Sequence, residues 1–199
     1  MLPNSTASRP SLLVAGLLVL GACTETPVSP DDSVTDLAST ESILASGVAG
    51  PEGEPLSPDV RSWVQALKKA TRKYRDFDVA AADGYAAALS PCVESPAGGM
   101  GYHYGNVGLI DGAITPMAPE ILLYEPRPAG KLRFVGVEFV IPLDAWTAAD
   151  PPSVQGVEMH ENHELGLWVL HVWTAKRNPT GIFQDFNPRV SCRYVPDAP

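Results

Sequence analysis

The sequence lacks the short motifs that identify several large enzyme classes. It has no GxxxxGK[ST] phosphate loop, no Rossmann glycine fingerprint and no GxSxG around an activated serine. Its glycine-rich stretch, residues 96–111, includes GMGYHYGN and follows no predicted strand. These glycines either form turns or bring the backbone close to a ligand, but they do not make a Walker loop.

Basic residues are also scarce, because 14 Lys and Arg stand against 23 Asp and Glu, for a net charge of −9. The chain therefore lacks the positive charge that is typical of nucleic-acid-binding proteins. The acidity is uneven, since residues 24–59 hold eight acidic residues and no Lys or Arg. We expect this segment to be a disordered, solvated tether, in preference to a partner-binding tail.

The most apolar run, residues 11–22, has twelve residues, and a membrane-spanning helix needs about 20. The run is typical of a signal peptide, and Arg9 precedes it. Its end, Leu20-Gly21-Ala22-Cys23, resembles the lipobox of bacterial lipoproteins. The resemblance implies cleavage before Cys23, a lipid on its thiol and a place in the cell envelope, on the periplasmic side or at the outer membrane. The alternative is an ordinary secretory signal with a chance cysteine.

We therefore divide the chain into a lipoprotein signal peptide (1–22), an acidic tether (23–57) and a single globular domain (58–199). Ser57-Pro58 is a helix start, and Trp63, Leu67, Ala70, Tyr74 and Phe77 then recur at helical spacing. A second, alanine-rich helix is predicted over Val79–Leu89. Three strands rich in branched and aromatic residues follow, at 120–125, 131–141 and 165–175. This order predicts an α+β fold, with a helical pair packed on a small, mostly antiparallel sheet.

Five basic residues cluster on the first helix and just after it. Such a cluster is either a solvated helix face, which is the more common case, or a patch for an anionic ligand. The residues are Lys68, Lys69, Arg72, Lys73 and Arg75.

Two cysteines remain beyond Cys23, at positions 92 and 192. In an oxidising compartment an even pair predicts a disulfide, here enclosing about 100 residues and contributing about 4–5 kcal/mol in the chain-entropy model. The alternatives are thiolate metal ligands or a redox couple, but the spacing is not Cys-x-x-Cys.

The histidines are the main candidates for chemistry, and three of the four lie in residues 156–176. Strand parity places Glu138 on an apolar face with Leu132, Phe134, Gly136 and Val140, and His171 on an apolar face with Leu167 and Val169. If these two strands pair, Glu138 and His171 are cross-strand neighbours.

Two partial metal sites follow from this pattern. One is His160 with His163 and a nearby acid, either Glu158, Glu161 or Glu164. The other is His103, Glu138 and His171, and a bend at Gly166 would merge the two. Three such ligands with an open position suit zinc, iron or copper as a divalent ion. The alternative is that each histidine is a hydrogen-bonded structural residue.

Four strings in the chain resemble a family of uncharacterised exported bacterial lipoproteins. They are YHYGN (102–106), PEILLYEP (119–126), LRFVGVEFVIP (132–142) and HVWTAKRNPTGIFQDFNPRVSC (171–192). The order of these elements is also loosely similar to the oil-body-associated protein family. The resemblance implies that His103, Glu138, His160 and His163 form one constellation, and it implies no reaction.

The sequence thus indicates a lipid-anchored envelope protein that binds a divalent metal or a small polar ligand in a pocket lined by His and Glu. The membrane is the one partner that it predicts, and nucleic acid is not expected. The function is more typical of a binding protein than of an enzyme; a catalytic version would be a metal-dependent hydrolase or an oxygenase. Alternatives are a protein-interaction module or a sugar- or peptide-binding module.

Overall fold

The computed structural model of this protein describes residues 55–196. The predicted signal peptide, the lipidation site at Cys23 and nearly all of the predicted tether lie outside the described residues. Within them, no helix has the length and apolarity needed to traverse a bilayer.

Two helices precede the strands, as predicted. Helix α1 spans Pro58–Thr71 and α2 spans Phe77–Ala82, with a 3-10 turn at Arg72–Arg75 between them. The strands are β1 (Ala87–Ser95), β2 (Gly98–Gly105), β3 (Ile121–Pro126), β4 (Leu132–Pro142), β5 (Ser153–Val154), β6 (Val157–Glu158), β7 (His160–Asn162) and β8 (Leu167–Val172). Six of them form one antiparallel sheet in the order β1-β2-β3-β4-β8-β7, while β5 and β6 form a separate pair.

Helix α1 begins where the sequence predicts, because Ser57 caps it. The Ser57 Oγ accepts a hydrogen bond of 3.3 Å from the backbone N–H of Val60, which satisfies one of the free donors of the first turn. Trp63 and Leu67 are buried on the apolar face of the helix, and the Trp63 ring lies 5.9 Å from the ring of Phe139 in β4. Burying each of these side chains contributes about 1.5–3 kcal/mol, which holds α1 against the sheet.

The second helix is shorter than predicted, and the second half of the range Val79–Leu89 is not helical. Helix α2 ends at Ala82, and Gly84 then has a φ of 99°, a conformation that interrupts a helix. From Ala87 the chain forms β1 instead, because β2 offers it a backbone partner. The alanine content favours a helix, but pairing with a neighbouring strand overrides that local preference.

Strand β2 occupies the glycine-rich stretch, for which the sequence predicted either turns or a close approach of the backbone to a ligand. Burial alternates along it, and its buried positions are Gly99, Gly101, His103 and Gly105. Gly101 has a φ of 90°, and a Cβ there would lie 2.4 Å from the carbonyl oxygen of Tyr124. The glycines therefore let β2 approach β3 closely and set His103 on the buried face.

Strands β3, β4 and β8 lie where their apolar patterns predict, but the alternation along β4 is interrupted. Leu123 pairs with Gly136, whereas the next residue, Tyr124, pairs with Phe134, so Val135 is an extra residue in β4. Phe134 consequently lies on the opposite face from Gly136, with its ring 5.6 Å from that of Tyr124. The prediction that Phe134 shares a face with Glu138 is wrong for this reason.

The predicted disulfide is confirmed. Cys92 and Cys192 are bonded, with their Cα atoms 5.8 Å apart. The backbone N–H of Cys192 also donates a hydrogen bond of 2.7 Å to a carboxylate oxygen of Glu94. The disulfide joins the outer strand β1 to the C-terminal part of the described chain.

The helices cover one face of the sheet. Phe77 of α2 packs against Tyr104 of β2 and Tyr124 of β3, with ring centroids 4.6 Å and 5.2 Å apart. Neighbouring residues of a strand point to opposite faces. His103 and Glu138, which adjoin Tyr104 and Phe139, therefore lie on the face away from the helices.

Candidate metal centre

Three strands bring three side chains together on this second face: His103 from β2, Glu138 from β4 and His171 from β8. Each offers a nitrogen or oxygen, and these donor atoms all lie within 4.8 Å of one another. Glu138 is paired directly with His171, while His103 reaches the group across β3. All three residues are buried, with exposed fractions of 8% for His103, 4% for Glu138 and 2% for His171.

The distances from the two histidines to Glu138 are longer than hydrogen bonds. His103 Nε2 lies 3.5 Å from Glu138 Oε2, and His171 Nε2 lies 3.6 Å from Glu138 Oε1. A direct hydrogen bond between such groups would be about 2.7–2.9 Å long. Ligand atoms bound to zinc at ~2.0–2.1 Å and tetrahedral angles lie ~3.3 Å apart, which is closer to the observed spacing.

Both imidazole rings are held by their other nitrogen. His103 Nδ1 lies 2.8 Å from Ser90 Oγ, and His171 Nδ1 lies 3.0 Å from Asp185 Oδ1. Metal-binding histidines in proteins normally have such a partner, because it orients the ring and leaves the second nitrogen free for the ion. Here the two contacts direct both Nε2 atoms towards Glu138.

The Nε2 of His171 is buried and has no hydrogen-bond partner among the described residues. Leaving a buried polar atom unsatisfied costs about 1–3 kcal/mol, so such atoms are rare in folded proteins. Because Nδ1 of the same ring is satisfied, the unsatisfied atom is the one that faces Glu138. A bound cation would satisfy it.

The charges at the site also favour a cation. Burial lowers the pKa of His103 despite the attraction of Glu138, so this ring keeps a free lone pair at neutral pH. Burial also opposes charge on His171, but the carboxylates of Glu138 and Asp185 together raise its pKa above the ordinary value. Two carboxylates thus stabilise a positive charge at His171, which either a proton or a metal ion can supply.

Asp185 connects this group to the protein surface. Its Oδ2 lies 3.1 Å from Nε2 of His160, a half-exposed histidine of β7. Burial would raise the pKa of Asp185, but its hydrogen bonds with His160 and His171 hold that pKa well below its ordinary value. The hydrogen bond to Asp185 in turn raises the pKa of His160.

His160 and His163, the histidines of the first predicted partial site, do not join the buried group of His103, Glu138 and His171. Gly166, with a φ of 67°, belongs to the turn that folds β7 back onto β8, so His160 lies opposite Val169. His160 therefore touches Asp185 and is not among the three clustered donors. His163 lies in the turn itself and is exposed, with its Nε2 2.8 Å from Glu161 Oε2. The remaining candidates, Glu158 and Glu164, are exposed.

Sequence reasoning missed two residues of the site, Ser90 and Asp185. Ser90 directly follows the predicted helical range Val79–Leu89, whereas the helix ends at Ala82. The large residues Met100, Tyr102 and Tyr104, at every second position, were an available signal for β2, and the structure pairs this strand with the segment that includes Ser90. No local pattern marks Asp185, because its role depends on the segment after β8 returning beside His171.

The arrangement can hold a metal ion. Two imidazole nitrogens and one carboxylate oxygen form a donor set that suits zinc or non-haem ferrous iron, and three protein ligands leave a position for water or another small ligand. The chain matches no protein-family model, and neither the curated proteins nor the solved structures contain a significant match to it.

Proposed function

We propose that this protein is a lipid-anchored cell-envelope protein whose folded domain binds one divalent transition-metal ion through His103, Glu138 and His171. The observation that supports metal binding most directly is the buried Nε2 of His171, which faces Glu138 without a hydrogen-bond partner. The place in the envelope rests on the resemblance of Leu20-Gly21-Ala22-Cys23 to a lipobox.

Zinc and ferrous iron are the ions that we propose first. Both accept imidazole and carboxylate ligands, whereas calcium and magnesium prefer sites made of oxygen alone. Copper would bind more tightly than either in a simple competition, because affinities of such sites follow the Irving–Williams order. Glu138 acts as a ligand in this proposal, and the open position allows a water or a small polar molecule to bind the ion.

The test is the metal content of the full-length chain, purified in detergent after expression with zinc and iron supplied. We expect about one ion per chain for the natural sequence and little metal for His103→Ala and Glu138→Gln, because each variant loses one of three ligands. His163→Ala is the matched control, since it removes an exposed histidine outside the group.

A second measurement distinguishes the loss of a metal ligand from misfolding of the variants. Adding the identified ion to the metal-free natural protein should raise its melting temperature, because a ligand that binds only the folded state stabilises it. The same ion should not raise the melting temperature of a folded Glu138→Gln variant. Absence of stoichiometric metal in the natural protein, or equal metal content in all variants, would refute the proposal.

A further inference from the structure

A second feature of the molecule lies away from the histidines, where the end of α1 meets β4 and the residues after β8. Two adjoining grooves share Arg75, Phe134 and Ala175 in their walls. Five basic side chains line them, and we call this combined surface the cationic groove: Lys68, Lys69, Arg72, Arg75 and Arg133.

Within residues 55–196, the positive charge of this groove is not neutralised by acidic side chains. No acidic residue lines either of its two parts, and within residues 55–196 none of the five side chains forms an ion pair. Two other lysines of the domain do form ion pairs, Lys73 with Asp83 and Lys176 with Glu125. The described part of the chain carries acidic side chains elsewhere on its surface, so the absence of any from this groove is a specific feature of its surface.

The clustered basic residues of the cationic groove also destabilise helix α1. Lys68 and Arg72 are four residues apart, a spacing at which like charges repel each other on a helix surface. Lys68 is in addition half-buried, and burial lowers its pKa. The dipole of α1 favours Lys68 and Lys69 in its last turn. It does not account for Arg75 and Arg133, which lie outside α1.

We propose that the cationic groove binds a soluble ligand that carries at least two phosphoryl groups. Guanidinium groups bind phosphoryl oxygens through two parallel hydrogen bonds, and Arg72, Arg75 and Arg133 supply three of them. At about 1.5 Å per residue, Lys68 and Arg75 are ~10 Å apart along the chain, so one phosphate cannot reach the whole groove. The concave shape suits a discrete ligand better than a flat membrane surface.

The experiment uses the full-length chain in detergent and isothermal titration with inorganic tripolyphosphate. We expect saturable binding that weakens as the salt concentration rises, because exposed charges are screened. The double substitution Arg72→Gln with Arg75→Gln should weaken binding at least tenfold. The matched control is Arg61→Gln with Arg177→Gln, which removes the same charge at two exposed positions outside the groove and should leave the affinity within about twofold.

Two further titrations test the chemical class and the source of the ligand. Citrate, which carries three carboxylates, should bind at least tenfold more weakly than tripolyphosphate, and vesicles of anionic phospholipid should not compete with tripolyphosphate. Equal binding of citrate, binding to vesicles without binding to tripolyphosphate, no binding at all, or equal loss in the control variant would each overturn the proposal.

Discussion

Glu138 and His171 lie directly opposite each other on β4 and β8, and their charged ends are 3.6 Å apart without a hydrogen bond between them. The backbone register fixes this relationship, since the two strands pair along six consecutive positions. The pairing of the two strands therefore keeps the two side chains beside each other on one face of the sheet. An ion bound to both His171 Nε2 and Glu138 Oε1 would bridge the two side chains.

Metal binding should weaken as the pH falls. In the metal-free protein the carboxylates of Glu138 and Asp185 raise the pKa of His171 in spite of its burial. A proton therefore competes with the ion for Nε2 over a range that extends above ~6.5, the ordinary pKa of histidine. Competition with a coloured chelator between about pH 5.5 and 8.5 should show an affinity that rises and then levels off. An affinity that does not change with pH would contradict this prediction.

Asp185→Asn should lower the metal affinity by about 10–100-fold, because a carboxylate on Nδ1 orients the His171 ring and makes it a better ligand. His160→Ala should have a smaller effect, since His160 contacts the site only through Asp185. Nuclear magnetic resonance titration of the metal-free protein should also show a lower pKa for His171 in Asp185→Asn. A variant that loses affinity with no change in that pKa would indicate a purely structural role.

Lys176→Met should destabilise the domain by up to about 3–5 kcal/mol, because it removes the nearest cation from a buried carboxylate and leaves it only Arg127, at 3.9 Å, as an ionic partner. Lys176 Nζ lies 2.7 Å and 2.8 Å from the two oxygens of Glu125, whose side chain is 5% exposed. Urea denaturation measures the loss. Combining Lys176→Met with Glu125→Leu should recover part of it, and a double variant less stable than the single one would contradict the explanation.

Glu120→Gln should remove a pH dependence of stability. Burial raises the pKa of Glu120 from 4.5 to about 7, and its Oε2 accepts a hydrogen bond of 3.1 Å from the backbone N–H of Val140. The folded state then binds the proton more tightly than the unfolded state. Its contribution to stability is fully present below about pH 4.5 and is lost as the pH rises to about 7, by up to roughly 3 kcal/mol.

The measurement for Glu120 is the free energy of unfolding of both proteins at a series of pH values. Relative to the natural protein, Glu120→Gln should gain stability steadily between about pH 4.5 and 7 and show a constant difference above that range. The amide oxygen of glutamine keeps the hydrogen bond to Val140. A difference that does not vary with pH would mean that folding does not raise the pKa of Glu120.

Removing the disulfide with Cys92→Ala and Cys192→Ala should cost about 4–5 kcal/mol, because the bond joins residues 100 positions apart and restricts the unfolded chain. Urea denaturation of the variant and of the reduced natural protein should give similar losses. A loss below about 1 kcal/mol would show that the unfolded chain is not significantly restricted by the bond.

Much of the sheet was predictable, because the pattern of apolar residues marks three of its strands. Strands β3, β4 and β8 are runs of branched and aromatic residues, and parity alone placed Glu138 and His171 on apolar faces. Their pairing across β4 and β8 agrees with that expectation. The bulge at Val135 was not predictable, since an extra residue in one strand is visible only against its partner.

The sequence by itself determined the start of α1, the three apolar strands and the burial of Glu138, because local spacing and composition suffice for each. It also predicted the bond between Cys92 and Cys192, on the expectation of an oxidising compartment. Only the tertiary structure decided that Ala87–Ser95 is a strand, that the predicted group of His103, Glu138 and His171 forms without His160 and His163, and that Asp185 holds the ring of His171. These three outcomes depend on contacts between segments far apart in the chain. Such contacts decide which strands pair and which partner stabilises a buried charge, so no local pattern predicts either.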